Sequence, residues 1–255
     1  MPLHLDFDLS PAQQDEMRKI PATHWFTNII FRNAASPVHP DAKLVANNDM
    51  KLKMTEDWIR QSVKGKTVLD LFSANGAFSI LAAEAGAKKV VGVEFSEERV
   101  ECARWLASTV KSDCDIEFIV GDVYKLREYF TEPFDIVLCL GGLYHIGDPP
   151  FVLEQIGHLT RETLLVQTSQ VLSLPGNWAK FRIRRYVEAG KTSIRKGFGT
   201  WYATPRLHSR MDRARRLRHS GRAHARPART PTLSMVPGEM RPARFPRCAV
   251  IEMAG

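Results

Sequence analysis

A short apolar segment with an acidic residue near its end constrains the fold of this chain more than any other feature. Residues 68–76 read Val-Leu-Asp-Leu-Phe-Ser-Ala-Asn-Gly: a strand ends near Asp70, and a loop leads through Asn75 and Gly76 into a helix. In open α/β sheets, ligands bind where a strand turns into a helix. The segment therefore predicts a ligand-binding turn at the edge of a sheet.

Further apolar segments of strand length follow this turn at regular spacing. They are Lys89–Glu94, Ile116–Val120, Phe134–Leu140 and Thr163–Thr168. Segments with helical periodicity separate them, and strands that alternate with helices are typical of a doubly wound sheet. We therefore predict an α/β fold with a mostly parallel, Rossmann-like sheet.

The chemistry of the first turn distinguishes two classes of ligand. A dinucleotide site needs three glycines at Gly-x-Gly-x-x-Gly spacing, so that the pyrophosphate can approach the backbone. Here the turn has one glycine, Gly76, and the strand carries Asp70. A carboxylate repels phosphate but attracts a cationic ligand. S-adenosyl-L-methionine (SAM), which carries a sulfonium charge, is therefore the predicted cofactor, and a nicotinamide cofactor is disfavoured.

Acidic residues also end the next two strands. Glu94 lies 24 residues beyond Asp70, where an acid accepts hydrogen bonds from ribose hydroxyls. Asp122 is a candidate acceptor for the adenine amino group, and Phe95 either stacks on adenine or only packs locally. The predicted cofactor-binding residues are Asp70, Phe72, Ala74, Asn75, Gly76, Glu94, Phe95, Asp122, Val123 and Leu140.

These motifs, taken in order, resemble those of a known family. Val68–Gly76, Glu94, Asp122 and Phe134–His145 are similar to the motifs of class I SAM-dependent methyltransferases. The resemblance implies the class I methyltransferase fold, SAM as cofactor and methyl transfer as the activity. It departs from the family pattern within residues 72–74, where Phe72 and Ala74 replace the glycines of many relatives.

The segment Phe134–His145, followed by Pro149-Pro150, carries a narrower resemblance. It is similar to the subgroup related to the bacterial enzyme that carboxymethylates wobble uridine in tRNA. In that subgroup, the tyrosine that matches Tyr144 helps to hold a carboxylated cofactor. The resemblance to the family is close over residues 60–170, looser over 20–60, and fades beyond 205.

Tyr144 and His145 are the candidate catalytic residues. A histidine titrates near neutral pH, so His145 is suited to accept a proton from a hydroxyl or amine nucleophile. Tyr144 is a candidate hydrogen-bond donor to the cofactor or the substrate. The structural alternative for His145 is a buried imidazole that ties its loop together. A base is not obligatory, because proximity and alignment alone accelerate methyl transfer.

Four regions are predicted along the chain. Residues 1–63 form an N-terminal cap or lid, 64–170 the SAM-binding domain, 171–205 a substrate-side insertion, and 206–255 an irregular, Arg-rich tail that is partly disordered. Within the cap, the apolar pattern predicts an amphipathic helix over Asp49–Val63. For residues 171–205, a surface segment that does not shape the substrate pocket is an equally favoured alternative. The tail is either a basic arm for RNA or acidic partners, or a degenerate terminus.

The net charge of +8 is concentrated in that tail. Residues 206–255 contain twelve Arg, no Lys and three acidic residues, so residues 1–205 carry a net charge of −1. The predicted catalytic domain therefore lacks the overall positive charge that is typical of domains that bind nucleic acids. A small-molecule methyltransferase is the favoured function. The alternatives are a tRNA wobble-uridine modifying enzyme and a SAM-binding protein without catalysis.

Compartment and metal content follow from absent signals. The start of the chain lacks the basic and apolar regions of a signal peptide, and no apolar run approaches the roughly 20 residues that span a bilayer. The four cysteines have no Cys-x-x-Cys spacing, which argues against a zinc site. We expect a cytoplasmic protein without a bound metal and without a membrane partner.

Overall fold

The computed structural model describes residues 2–169 and five later strands. Its N-terminal part begins with β1 (Leu3–Leu5), helix α1 (Pro11–Lys19) and β2 (Ile29–Phe31), and β1 and β2 pair in parallel. Helix α2 (Ala42–Ser62) follows. The sequence pattern predicted this helix only from Asp49. It starts earlier because the Asp41 carboxylate accepts hydrogen bonds from the Lys43 and Leu44 amides and so caps the first turn.

The central sheet has six strands, all of them parallel to their neighbours. Five of them are β3 (Thr67–Leu71), β4 (Lys89–Glu94), β5 (Asp115–Val120), β6 (Phe134–Leu140) and β7 (Thr160–Ser169). The strands β8 (Ala179–Ile183), β9 (Tyr186–Glu188), β10 (Lys191–Ser193) and β11 (Gly199–Ala203) lie outside this sheet, and β12 (Arg247–Met253) completes it. The spatial order is β12-β7-β6-β3-β4-β5. The predicted doubly wound α/β fold is confirmed.

Helices cover both faces of the sheet. They are α3 (Ala77–Glu84), α4 (Glu97–Thr109), α5 (Leu126–Tyr129) and α6 (Pro149–His158). Alternate residues of a strand point to opposite faces. Val68 therefore packs in the core shared with α2, α3 and α4, whereas Leu69 and Leu71 pack in the core shared with α5 and α6.

The N-terminal residues share the first of these cores. Trp25 is fully buried, and its ring meets that of Trp105 on α4 edge to face, with 5.8 Å between the ring centroids. Leu3, Ile29 and Phe31 belong to the same hydrophobic cluster as Val68 of the sheet. The segment is thus built into the core. The boundaries predicted for the four regions stay predictions.

Parts of the later regions fall outside the described residues. Within the predicted insertion 171–205, only β8–β11 are described, and β11 pairs antiparallel with β8. Strand β11 lies against the turn Leu143–His145 and against β7. Within the Arg-rich tail, only β12 is described, where it pairs with β7.

Replacing Trp25 tests whether the N-terminal segment is part of the core. Trp25→Ala should lower the free energy of unfolding by about 3–5 kcal/mol, because it leaves a large buried cavity. Phe95→Ala, at an aromatic side chain that is 60% exposed, should change it by no more than about 0.5 kcal/mol. Urea denaturation followed by circular dichroism measures both. A loss below about 1 kcal/mol for Trp25→Ala would show that the segment is only loosely attached.

Candidate functional site

The site lies where the direction of strand addition reverses. From β3 the chain adds β4 and β5 on one side, and then returns to add β6 and β7 on the other. In open α/β sheets, ligands bind beyond the carboxyl ends of the strands at this point. Here the loop after β3 faces the loop after β6, and most of the predicted site residues lie on these loops and on the strand ends beside them.

Asp70 lies beneath the loop after β3. Its side chain points toward α3, where the Ser79 hydroxyl donates a hydrogen bond to Oδ2 at 2.7 Å. Only 1% of the residue is exposed. Burial raises the pKa of Asp70 to about 7, the Ser79 hydrogen bonds oppose this rise, and the charge of Glu94 adds to it. The carboxyl group is thus held against α3, under the loop.

Glu94 ties two loops together at the end of β4. Its Oε2 accepts a hydrogen bond from the amide of Ala74 at 3.1 Å, and its Oε1 accepts hydrogen bonds from the Ser96 amide and the Arg99 guanidinium, each at 3.1 Å. The Arg99 guanidinium lies 4.0 Å from the ring centroid of Phe26, in the N-terminal segment. A carboxylate offers about four lone-pair sites. Among the described residues, nothing occupies the remaining acceptor site on Oε2, which is suited to a ligand hydroxyl.

The loop between these acids has a constrained backbone. Phe72, Ala74 and Gly76 have φ values of 61°, 49° and 77°. The left-handed region costs non-glycine residues roughly 1–2 kcal/mol each. The Phe72 ring packs on Gly142, where a Cβ would come within 1.9 Å of it. Strain of this kind persists only where the surroundings hold it in place.

Asn75 is tied to the N-terminal segment. Its Oδ1 accepts a hydrogen bond from the Thr27 amide at 3.1 Å, and its Nδ2 donates one to the Thr27 carbonyl at 3.0 Å. The side chain is fully buried. These two bonds hold the N-terminal segment against the loop, which gives the Asn75 side chain a structural role.

The remaining predicted residues lie along the same edge of the sheet. Asp122 is half-buried, and its Oδ1 accepts a hydrogen bond from the Tyr124 amide at 2.9 Å. Val123 and Leu140 are buried in the core, whereas Phe95 is 60% exposed. Their contacts with a cofactor stay predictions.

Tyr144 and His145 share a single turn of 3₁₀ helix, Leu143–His145, which follows β6. Both are half-buried, and their rings lie 4.2 Å apart between centroids. The Phe72 ring connects the loop after β3 to this turn through Gly142. The structure thus brings the candidate catalytic pair to the same edge as the acids. Their catalytic role stays a prediction.

Three polar residues at this edge were missed by the sequence prediction. Lys51 of α2 is only 9% exposed, and Gln167 and Ser73 are buried. Among the described residues, Gln167 Oε1 and Ser73 Oγ have no hydrogen-bond partner. Gln167 could have been noticed as a polar residue near the end of an apolar strand. Lys51 gave no such signal, because lysines are common on amphipathic helices.

Comparisons with known proteins agree with this geometry. Residues 62–181 match the family model of a methyltransferase domain. The N-terminal domain of EvdMO1, solved with SAH bound, aligns with a TM-score of 0.56 and 18% identity, over 82% of this chain and 87% of that one, which establishes the likeness of fold. Residues 62–181 are thus similar to a methyltransferase domain, and the fold agrees with this match. The cofactor of this domain is SAM, and the unpartnered Ser73 hydroxyl and the free site on Glu94 suit its polar groups.

Two curated relatives are similar over shorter stretches. A ubiquinone biosynthesis O-methyltransferase of Neisseria meningitidis is 28% identical over 116 residues, which cover 46% of this chain and 48% of the relative. A ribosomal RNA large subunit methyltransferase I of Aliivibrio fischeri is 37% identical over 102 residues, which cover 38% of this chain and 24% of the relative. The chain thus spans less than half the length of either.

Neither a metal-binding cluster nor a membrane-spanning helix occurs among the described residues. Among them, no three His, Cys, Asp or Glu side chains are grouped in a way that could hold a metal ion. None of their helices is both long enough and apolar enough to cross a bilayer.

Asp70 is expected to make the protein less stable as the pH rises from about 4 to about 7. Its pKa in the folded state lies above the ordinary value of 3.8, so the folded chain holds a proton that the unfolded chain has released. The slope due to this group is at most about 1.4 kcal/mol per pH unit. Asp70→Asn does not ionise and should remove that slope. Urea denaturation at several pH values compares the two proteins, and parallel curves would contradict the expectation.

Ala74→Gly is expected to stabilise the protein by about 0.5–1 kcal/mol. It removes left-handed strain of roughly 1–2 kcal/mol, and the greater flexibility of glycine in the unfolded chain offsets part of that gain. Ala107→Gly, inside α4, is the control and should destabilise by about 0.5–1 kcal/mol. Denaturant titration measures both. Destabilisation by Ala74→Gly would mean that the alanine methyl group makes contacts worth more than the strain.

Proposed function

We propose that this protein transfers the methyl group of SAM to a small molecule. The observation that supports this most is a pair of buried polar side chains beside the cofactor loop. Lys51 of α2 and Gln167 of β7 are both buried, and both lie next to Gly141. Helix α2 belongs to the N-terminal segment, which is anchored to the loop by Asn75. Buried recognition groups of this kind suit a small acceptor better than a base within a folded RNA.

The charge distribution supports the same proposal. Residues 1–205 carry a net charge of −1, and affinity for a phosphate backbone comes mainly from Lys and Arg. One relative is named as an O-methyltransferase of ubiquinone biosynthesis, which is in keeping with a small acceptor for this chain.

Bound SAM supplies an electrophilic methyl group on a sulfonium centre. The side chains of this protein bind it, orient it and keep water away. Glu94 and Ser73 offer polar contacts at the loop, and Phe26 and Arg99 close the side next to the N-terminal segment. Holding both reactants in place is worth about 7–11 kcal/mol in favourable cases. His145, half-buried beside Gly142, is the proposed proton acceptor.

A second candidate function is the modification of RNA. The ribosomal RNA methyltransferase named above is 37% identical over the matched part, and Phe134–His145 resembles the wobble-uridine subgroup. The twelve Arg of residues 206–255 would then supply the affinity for RNA. Binding of SAM without catalysis is the third candidate.

Glu94→Gln is expected to weaken SAM binding by roughly 10–100-fold. The variant loses a charge-assisted hydrogen bond to the cofactor, worth about 1.5–3 kcal/mol. Glu97→Gln, an exposed acid in the first turn of α4, is the matched control and should bind SAM like the unmodified protein. Isothermal titration calorimetry measures all three proteins. Equal affinities for Glu94→Gln and the control would remove Glu94 from the cofactor site.

An activity assay separates the three candidate functions. Release of S-adenosylhomocysteine is measured with a metabolite extract, with tRNA and with ribosomal RNA as acceptors. The proposal expects turnover with the metabolite extract alone. Salt-sensitive turnover on either RNA would favour the second candidate, and SAM binding without turnover on any acceptor would favour the third.

A further inference from the structure

Lys51 is the most deeply buried cation at the candidate site. Its ammonium group donates a hydrogen bond to Asn48 Oδ1 at 2.8 Å. Asn48 is itself held, because its Nδ2 donates to the Phe26 carbonyl at 2.5 Å. An ammonium group has three donors, so this contact leaves two of them for other groups. Burial lowers the pKa of Lys51 to about 8, which shows how poorly its charge is solvated.

Gln167 offers an acceptor beside it. Its Oε1 is buried and has no hydrogen-bond partner among the described residues, and only 1% of the residue is exposed. Leaving such an atom unpaired costs about 1–3 kcal/mol. This atom lies near the end of a strand, at the edge of the sheet where ligands bind. A ligand that donates a hydrogen bond to it would offset that free-energy cost.

Lys51 Nζ and Gln167 Oε1 both lie close to Gly141. A Cβ at this position would lie 2.3 Å from Lys51 Nζ and 3.3 Å from Gln167 Oε1. The residue has a φ of 85°, which favours glycine. Lys51 Nζ occupies the place that a side chain at this position would need, and Gln167 Oε1 lies close to the same point. Both groups are therefore next to the turn that carries Tyr144 and His145.

We propose that Lys51 and Gln167 form the subsite for a hydroxyl group of the methyl acceptor, an inference that rests on the function proposed above. The hydroxyl donates its proton to Gln167 Oε1, and one lone pair of its oxygen accepts a hydrogen bond from Lys51 Nζ. The second lone pair remains free to attack the methyl carbon. The product is therefore a methyl ether.

Other acceptor groups match this pair less well. A carboxylate would pair with Lys51 but has no proton to donate to Gln167. An ammonium group would donate to Gln167 but is repelled by Lys51. Only a neutral group that both donates and accepts through one atom satisfies the two side chains, and a hydroxyl accepts the bond from Lys51 more strongly than a weakly basic aromatic amine.

The reaction balances without a further reagent. As the C–O bond forms, the C–S bond breaks and its electron pair returns to sulfur, which becomes a neutral thioether. The hydroxyl proton passes to His145, the proton acceptor proposed above. Lys51 acts on the acceptor oxygen by stabilising the negative charge that develops as this proton leaves.

Three aromatic probes of similar size test the subsite. Phenol, aniline and benzoate are titrated into the full-length protein in the presence of S-adenosylhomocysteine, and the NMR signals of the Gln167 side-chain amide and the Lys51 side chain are followed. We expect phenol to shift both signals and to bind at least tenfold more tightly than benzoate or aniline. Tighter binding of benzoate or aniline, or no shift with phenol, would overturn the proposal.

Variants separate this subsite from the cofactor site. Lys51→Met and Gln167→Leu keep the shape of the side chains, and each should weaken phenol binding at least tenfold while changing SAM affinity less than twofold in calorimetry. Lys53→Met, at an exposed lysine of the same helix, is the control and should change neither. Loss of SAM affinity in Lys51→Met would overturn the proposal by assigning Lys51 to the cofactor. Failure of the unmodified protein to bind SAM would instead refute the proposed function, and the phenol titration without cofactor would still test the subsite.

Discussion

The site depends above all on the hydrogen bonds that the buried carboxylate of Glu94 accepts. A buried charge is tolerated only when it is paired and hydrogen-bonded. The amides of Ala74 and Ser96 and the guanidinium of Arg99 together provide this compensation. One carboxylate thereby fixes the loop after β3, the start of α4 and, through the ring of Phe26, the N-terminal segment. Removing the charge would loosen three segments at once, so the cofactor contact proposed for Glu94 would be coupled to local stability.

The loop after β3 shows how a departure from the family pattern is accommodated. Phe72 and Ala74 adopt left-handed backbone angles although glycine would do so with less strain. The chain gains a contact in return, because the Phe72 ring packs on Gly142 and joins the loop after β3 to the loop after β6. A shift of the first loop is thereby transmitted to the turn that carries Tyr144 and His145. Glycines in the same places would lack this ring contact between the two loops.

The fold could be predicted from the sequence because each strand is a separate apolar run and helical segments fill the intervals. Helix α2 was predicted too short, since the polar residues around Asn48 interrupt its apolar stripe, and the cap at Asp41 was overlooked. The acids were correctly placed at strand ends. Their directions were harder to predict: the two-residue period of a strand puts Asp70 on the face of Val68, toward α3. The proximity of Lys51 and Gln167 at Gly141 could not be predicted from the sequence, because it depends on how α2 packs against the sheet.

The burial of Trp25 has a consequence for how an acceptor reaches the site. An N-terminal segment that contributes an indole to the main core does not swing aside on each turnover without exposing that core to water. We expect an acceptor to arrive instead along the rim formed by the turn Leu143–His145 and the neighbouring strand β11. Sequence changes along that rim are the ones expected to alter which acceptors are admitted, while the cofactor side stays the same.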